Sequence, residues 1–222
     1  MRGKGLISGR RRERRRRRAP DVAKQELLDA AEHVFATHQP DQVGLKDIAR
    51  EAGTSHALIT HYFGTYAGLI EATLERRMHE LRETIREQLR DSQILTNPEK
   101  LIAILFRALE DPVHMRLVRW LLASERPSAA HAFGLSANGI QLIAAQIANA
   151  LVAEPTREVI EKVELAMMTA VAAAYGYAIG KYALTGSAGK QPSRELDDKV
   201  QATLTQMVHA HIRAQLAEHV RR

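Results

Sequence analysis

The chain has 222 residues, of which 45% are hydrophobic, and this is enough apolar material for a packed core, so a wholly disordered chain is excluded. It has no cysteine, which excludes disulfides, zinc-thiolate sites and thiol nucleophiles and agrees with a cytoplasmic protein. The formal net charge of +6 is uneven, because residues 1–18 carry ten basic side chains against Glu13, a charge of +9, which leaves −3 for the rest.

Residues 1–19 are predicted to form a disordered, arginine-rich arm. Eight of the nine positions from 10 to 18 are Arg; these side chains repel one another and bury nothing. Such a tract binds polyanions, so we interpret it as a DNA-binding arm. RNA binding, non-specific polyanion binding and an incorrectly assigned translation start are the alternatives. The candidate DNA contacts in the arm are Arg14, Arg15, Arg16, Arg17 and Arg18.

Helical periodicity begins at residue 20, and the sequence has no strand pattern and no internal repeat. Asp21 can cap a first helix that ends near residue 38. Two short helices follow at about 45–52 and 55–62, and a long amphipathic helix at about 66–90.

The remaining helices are marked by their N-terminal signals and by loops. Asn97-Pro98 and Asp111-Pro112 each read as an N-cap followed by proline at the first helical position. The helix from Pro98 is apolar nearly all round, which predicts a place in the middle of a bundle. Further helices are expected at about 112–124, 136–152, 157–184 and 193–220. The predicted fold is therefore all-α, with about nine helices.

The segment from residue 43 to 66 has the pattern of a helix-turn-helix. Gly53 lies between the two short helices, where a tight turn needs a positive φ. Thr54, Ser55 and His56 place small or polar groups at the start of the second helix, where they can reach base edges. We therefore predict a DNA-binding domain at 20–65 and a helical ligand-binding and dimerisation domain at 66–222.

At these residues the chain resembles the tetracycline-repressor (TetR) family. The matching stretches are Leu27-Leu28-Asp29-Ala30-Ala31-Glu32-His33-Val34-Phe35, Ile48-Ala49-Arg50-Glu51-Ala52-Gly53-Thr54-Ser55, and Tyr62-Phe63-Gly64 with Leu69. The resemblance covers about residues 24–75 and implies major-groove contacts by the second short helix and a phosphate contact by the first. The implied DNA contacts are Lys46, Ser55, His56, Ala57, Thr60 and Tyr62.

Three positions depart from the family pattern. Gly44 replaces a capping Thr, Thr60 replaces a phosphate-contacting Tyr, and Tyr66 replaces a phosphate-contacting Lys. The last two weaken the expected grip on the DNA backbone, and the arginine arm is a candidate for supplying the missing electrostatic attraction.

Two helices near the C-terminus are predicted to form a homodimer interface. Small residues recur every four positions at Ala172, Gly176 and Gly180, which lets two helix backbones approach closely. The last helix carries an unbroken i+4 apolar ridge that should pack against another helix. Its central members are Leu204, Val208 and Ile212.

Bulky side chains on the body helices are candidates for a small-molecule pocket, which the resemblance implies, although ordinary core packing explains each of them as well. They are Phe106, Met115, Trp120, Phe133, Met167, Met168 and Tyr175. None of these candidates is charged, so we expect a largely apolar effector, with His114 or Tyr175 orienting it. We expect no cofactor and no metal, because the histidines lack ligand spacing.

The sequence thus predicts a homodimeric, ligand-responsive repressor that binds a near-palindromic operator. One alternative is a ligandless DNA-binding protein driven by the arginine arm. Another is a hydrolase with Ser55 as nucleophile, which the partial match of residues 53–57 to the motif G-x-S-x-G brings up.

Overall fold

The computed structural model describes residues 20–125 and 139–220, and this part of the chain contains helices and no strands. The predicted all-α class is confirmed. The chain divides between Glu75 and Arg76 into two compact units. Some predicted site residues lie outside the described residues, namely the arginines of the arm and Phe133.

The first unit contains three helices and the start of a fourth. They are α1 (Pro20–Thr37), α2 (Leu45–Glu51), α3 (His56–Phe63) and the first residues of α4 (Tyr66–Gln88), with a 3-10 turn at Pro40–Gln42. α2 contacts both α1 and α3. A small apolar core results, in which the largest fully buried side chains are Phe35, Ile48, Ile59, Leu69 and Ile70.

The second unit contains the rest of α4 and six further helices. They are α5 (Ser92–Leu95), α6 (Pro98–Leu109), α7 (Pro112–Ala123), α8 (Gly139–Leu151), α9 (Arg157–Ser187) and α10 (Arg194–Val220). α9 is central, because it packs against α6, α8 and α10. By length and composition alone, α9 is long and apolar enough to cross a membrane. The central helix of a helical bundle can have the same length and composition, so this observation is weak evidence for a membrane span.

Local signals placed the starts of α6 and α7 correctly, but Asp21, the expected cap of the first helix, lies inside the first turn of α1, which begins at Pro20. Asn97 caps α6 by accepting a hydrogen bond from the backbone N–H of Lys100, and Asp111 caps α7 through the N–H groups of Val113 and His114. Such caps satisfy donors that the first helical turn leaves without partners. The 3-10 turn and the four-residue α5 were not anticipated, because neither is long enough to show a period.

The expectation for α6 was wrong. Its apolar side chains predicted burial on all sides, but Ile102 is the residue of this helix that is buried. Leu101, Leu105 and their apolar neighbours are only half-buried, because they line a cavity.

Candidate nucleic-acid interface and body cavity

The turn between α2 and α3 is set by backbone conformation. Gly53 has φ +61°, as the sequence predicted, and Gly64 at the end of α3 has φ +71°. L-residues rarely adopt this left-handed region. Between these two glycines, Ser55 caps α3 by accepting a hydrogen bond from the N–H of Leu58 over 3.4 Å. The start of α3 is thus fixed by the Ser55 cap, and its end by the left-handed conformation of Gly64.

One face of α3 is open to solvent. His56, Ala57, Thr60 and His61 are exposed, whereas Ile59 is buried on the opposite face. These four residues lie at i, i+1, i+4 and i+5, a continuous stripe along the helix. We define them as the α3 face. It presents two imidazoles, which can donate to or accept from base edges. It also presents the hydroxyl of Thr60, which donates to the carbonyl of His56 over 3.1 Å and keeps its lone pairs as acceptors.

The α3 face agrees only in part with the predicted contacts. His56, Ala57 and Thr60 belong to it, but Tyr62 is half-buried and its ring lies beside those of His61 and Phe63. His61 was not predicted as a contact, although its position one residue after Thr60 could have indicated it. Ser55 remains exposed, but its hydroxyl is engaged in the cap.

The first short helix presents a basic side chain to solvent. Lys46 is exposed near the start of α2, where the N–H of Gly44 donates to Asp47 over 3.0 Å. Asp47 also pairs with Arg50 at 3.3 Å. The carboxylate of Asp47 thus already occupies the N-terminus of α2. The phosphate contact that the resemblance implies for Lys46 stays a prediction.

Tyr66 is held inside the first unit. Its hydroxyl donates to the carbonyl of Pro40 over 2.6 Å, and burial raises the pKa of this phenol above its ordinary value. Tyr66 therefore connects the 3-10 turn to the start of α4. Its side chain stays neutral, whereas a lysine at this position would carry a positive charge that attracts a phosphate.

The charge of residues 20–65 does not favour DNA binding. Between residues 20 and 65, three basic side chains stand against seven acidic ones, a formal charge of −4. The basic residues are Lys24, Lys46 and Arg50; the acidic ones are Asp21, Glu26, Asp29, Glu32, Asp41, Asp47 and Glu51. DNA attraction must therefore come from the placement of a few cations or from the arm, whose charge is +9.

The second unit contains a cavity of about 210 Å³ that is lined almost entirely by hydrocarbon. Of the predicted pocket residues, Met167 and Tyr175 line it. Met115 is buried elsewhere in the core, Phe106 packs against a cluster around Ile102, and Met168 points outward with 48% of its surface exposed. Trp120 is half-buried and is not part of the lining.

The lining consists mainly of aliphatic residues that were not among the predicted pocket residues. These include Leu81, Ile85, Leu89, Leu101, Ile104, Leu105, Ile147 and Val171. Aliphatic residues are the ordinary content of helical cores, so composition gave no signal for them.

Tyr175 reaches the buried side of the cavity and pairs with His114. The hydroxyl lies 2.8 Å from His114 Nε2, and both side chains are at least 98% buried. Burial lowers the pKa of His114 to about 4 and raises the pKa of Tyr175. Both groups are therefore neutral at pH 7. His114 Nδ1 has no hydrogen-bond partner among the described residues.

The predicted dimer residues fall into two groups. Ala172 and Gly176 are exposed on α9, and a Cβ added at Gly176 would meet no described atom within 4 Å. At Gly180, the described atoms within 4 Å of an added Cβ all belong to Leu184 of the same helix.

The ridge on α10 does not face outward, contrary to expectation. Leu204 belongs to an internal cluster with Ile102 and Ala174, and Val208 packs against that cluster. Val208 and Ile212 also line the cavity. The ridge packs against another helix, as its period required, but that helix belongs to the same protomer.

Comparison with protein families gives a match within the first unit. Residues 27–73 match the model of the bacterial regulatory proteins of the tetR family. This range contains α2, α3 and the turn between them.

Curated relatives match over parts of the chain. An HTH-type transcriptional regulator of Mycobacterium tuberculosis is 28% identical over 60% of this chain and 65% of its own length. The HTH-type transcriptional regulator BetI of Vibrio campbellii is 37% identical over 32% of this chain and 35% of its own length. The chain thus spans less than two thirds of the length of these relatives. All of them are named as transcriptional regulators and not as enzymes.

Two solved structures share the fold across both units. A tetR-family regulator from Streptomyces coelicolor is 21% identical, covers 89% of each chain and has a TM-score of 0.53. A regulator of the same description from Mesorhizobium loti is 18% identical, covers 90% of this chain and 98% of its own, and has a TM-score of 0.56.

Proposed function

We propose that the chain, whose residues 27–73 match the tetR-family model, is a ligand-responsive repressor of that family that binds a near-palindromic operator as a homodimer. It works in the cytoplasm, on the bacterial nucleoid. The observation that carries the DNA-binding part is the α3 face, which follows a glycine turn and lies within the matched residues.

In this proposal the α3 face enters the major groove. His56 and Thr60 read base edges together with His61, Ala57 meets apolar groups such as thymine methyls, and Lys46 holds a phosphate. Ser55 contributes chiefly by fixing the start of the helix, and Tyr62 by supporting the face from behind.

The test begins with genome-wide mapping of binding sites, which supplies the operator. We then expect His56→Ala and Thr60→Ala each to weaken operator binding about 5- to 150-fold, since a base-reading contact contributes ~1–3 kcal/mol. Affinity is measured by fluorescence anisotropy at fixed salt.

His79→Ala is the matched control, because it removes an exposed histidine from α4 in the second unit. Its affinity should equal that of the wild type. If His56→Ala and Thr60→Ala both bind the operator with unchanged affinity, the assignment of the α3 face is wrong.

The homodimer is proposed through the outward face of α9. Large apolar side chains are exposed there, including Leu165 at 55% and Tyr182 at 78%, and Met207 on α10 is 65% exposed. Exposed apolar residues of this size mark interaction surfaces when they lie together. Gly176 offers a place where two helix backbones approach closely. A twofold dimer then sets the half-sites about one DNA turn apart, ~34–36 Å.

We expect Gly176→Leu to give monomers in sedimentation velocity. The new side chain meets open space in its own protomer, so the protomer should fold, while the partner helix is kept at a distance. Gly176→Ala adds one methyl group and should remain dimeric. A fully dimeric Gly176→Leu protein would refute this placement of the interface.

The effector part of the proposal is supported by the cavity in the second unit. α4 contributes Leu81, Ile85 and Leu89 to its lining, and the same helix begins at Tyr66 in the first unit. A ligand that favours one position of α4 therefore changes operator affinity by its differential affinity for the two states. A tenfold release corresponds to about 1.4 kcal/mol of coupling.

The ligandless alternative is separated from this proposal by footprinting. A protein driven by its arginine arm alone protects DNA without regard to sequence, whereas the proposed repressor protects a discrete operator.

A further inference from the structure

The polar groups of the body cavity are not spread evenly over its lining. Among the described lining residues no side chain is acidic, and the one permanent charge is that of Arg213. His209 lies one helical turn before Arg213 on α10, and both side chains are exposed. The mouth of the cavity at α10 therefore carries a cation and a second nitrogen donor, with nothing negative beside them in the lining.

The interior of the cavity has the opposite character. Tyr175 closes the buried side together with His114, and both side chains stay neutral at pH 7 because burial disfavours their charged forms. Everything between Tyr175 and the mouth is hydrocarbon, apart from the hydroxyl of Thr96. An ionised group placed there would lose its hydration without gaining a counter-ion. A charged ligand can therefore enter in one orientation, with its head left at Arg213.

We propose that this cavity takes a single-chain amphiphile with an anionic head, such as a medium-chain carboxylate, whose hydrocarbon chain fills the interior while Arg213 and His209 hold the head. This inference deepens the proposed function, because it names the chemical class of the effector. The guanidinium of Arg213 offers paired N–H donors that match a carboxylate.

The volume limits the length of the chain. An apolar cavity of about 150 Å³ takes up benzene, so one of 210 Å³ accommodates on the order of eight carbon atoms. A second cavity shares Leu81, Ile85, Ile104 and Ala108 with the first, but charged side chains such as Arg77, Glu80 and Asp111 also line it, so the hydrocarbon-lined space ends there.

The test measures binding of three eight-carbon probes to the full-length, DNA-free protein by titration calorimetry. Octanoate should bind at least about tenfold more tightly than octanol, because its head group forms a charged hydrogen bond. Octylammonium should bind more weakly than either of them. Butanoate should bind about two hundredfold more weakly than octanoate, since four buried methylene groups are lost.

Arg213→Gln should remove the preference for octanoate over octanol while leaving octanol binding unchanged. Arg213→Lys should retain most of the preference. Arg194→Gln removes an exposed arginine from the same helix outside the cavity and should have no effect. Circular dichroism melts confirm that each variant is folded.

Two results would overturn the inference: octanol binding as tightly as octanoate to the wild type, or Arg213→Gln keeping the full preference. The proposed function is tested separately, by adding octanoate to the operator complex. Arg213-dependent binding without DNA release supports the ligand class and contradicts ligand-responsive repression. Release by another compound, with no octanoate binding, supports repression and contradicts the ligand class.

Discussion

Removal of residues 1–18 should weaken operator binding more than any single substitution in the α3 face. The deleted segment has a charge of +9, whereas residues 20–65 have a charge of −4. Without the arm, an acidic domain has to approach a polyanion with few cations on its exposed helices. We therefore expect the arm to supply most of the electrostatic part of the affinity.

The salt dependence gives the size of this effect. Each phosphate that a basic side chain neutralises adds about 0.9 to the slope of log K against log salt. If the nine net charges of the arm all engage, deletion reduces the slope by about eight. A protein with six to ten such contacts loses on the order of 10³- to 10⁵-fold in affinity between about 50 and 200 mM salt. The truncated protein should lose far less.

Charge-preserving substitution separates charge from geometry. Changing Arg14–Arg18 to lysine keeps the charge and should keep the slope, whereas glutamine at the same five positions should lower it by about 4.5. If the lysine variant loses discrimination for A·T-rich flanks, arginine insertion into a narrow minor groove is indicated. Equal slopes for the full-length and truncated proteins would show that the arm takes no part in binding.

The contrast between sequence and structure is clearest on α10. The i+4 ridge of Leu204, Val208 and Ile212 correctly predicted that this face packs against a helix. The i+4 spacing shows that one face of the helix is apolar and will be covered by another helix. It does not show whether that covering helix belongs to the same protomer or to its partner. The partner was decided by tertiary packing, which no local pattern contains.

Caps and turns behave differently because their causes are local. Asn97, Asp111 and Gly53 were identified from one or two neighbouring residues, since a cap needs only an acceptor near the first turn and a left-handed turn needs only a missing Cβ. The cavity is the opposite case. The cavity exists because the aliphatic side chains of α6 are only half-buried, whereas in a tightly packed core they would be fully buried. The sequence of α6 is compatible with both kinds of packing and therefore does not predict the cavity.

Gly68 is a site whose importance the sequence did not indicate, because a glycine in the first turn of α4 resembles any tolerated helical glycine. A Cβ at this position would lie 2.2 Å from the carbonyl oxygen of Phe63, the last residue of α3. The obstacle is backbone, so no side-chain rotation relieves it. Gly68→Ala must therefore displace the end of α3 from the start of α4, and the α3 face moves with it.

We expect Gly68→Ala to destabilise the first unit by about 3 kcal/mol, the upper range for overpacking, and to abolish specific operator binding. Two alanine substitutions in the same unit calibrate the effect. Gly53→Ala has open space around its Cβ but φ +61°, so it should cost about 1 kcal/mol through conformation alone. Gly44→Ala has neither obstacle, since its φ is −141°, and should cost less than Gly53→Ala.

Amide hydrogen exchange of residues 45–63 resolves the three variants, because protection there reports the stability of the first unit. Trp120, the single tryptophan of the chain, lies in the second unit, and its fluorescence should be unchanged in all three. The order expected for lost protection is Gly68→Ala, then Gly53→Ala, then Gly44→Ala. If Gly68→Ala keeps wild-type protection and operator affinity, the close approach of α4 to the carbonyl of Phe63 does not govern the position of α3.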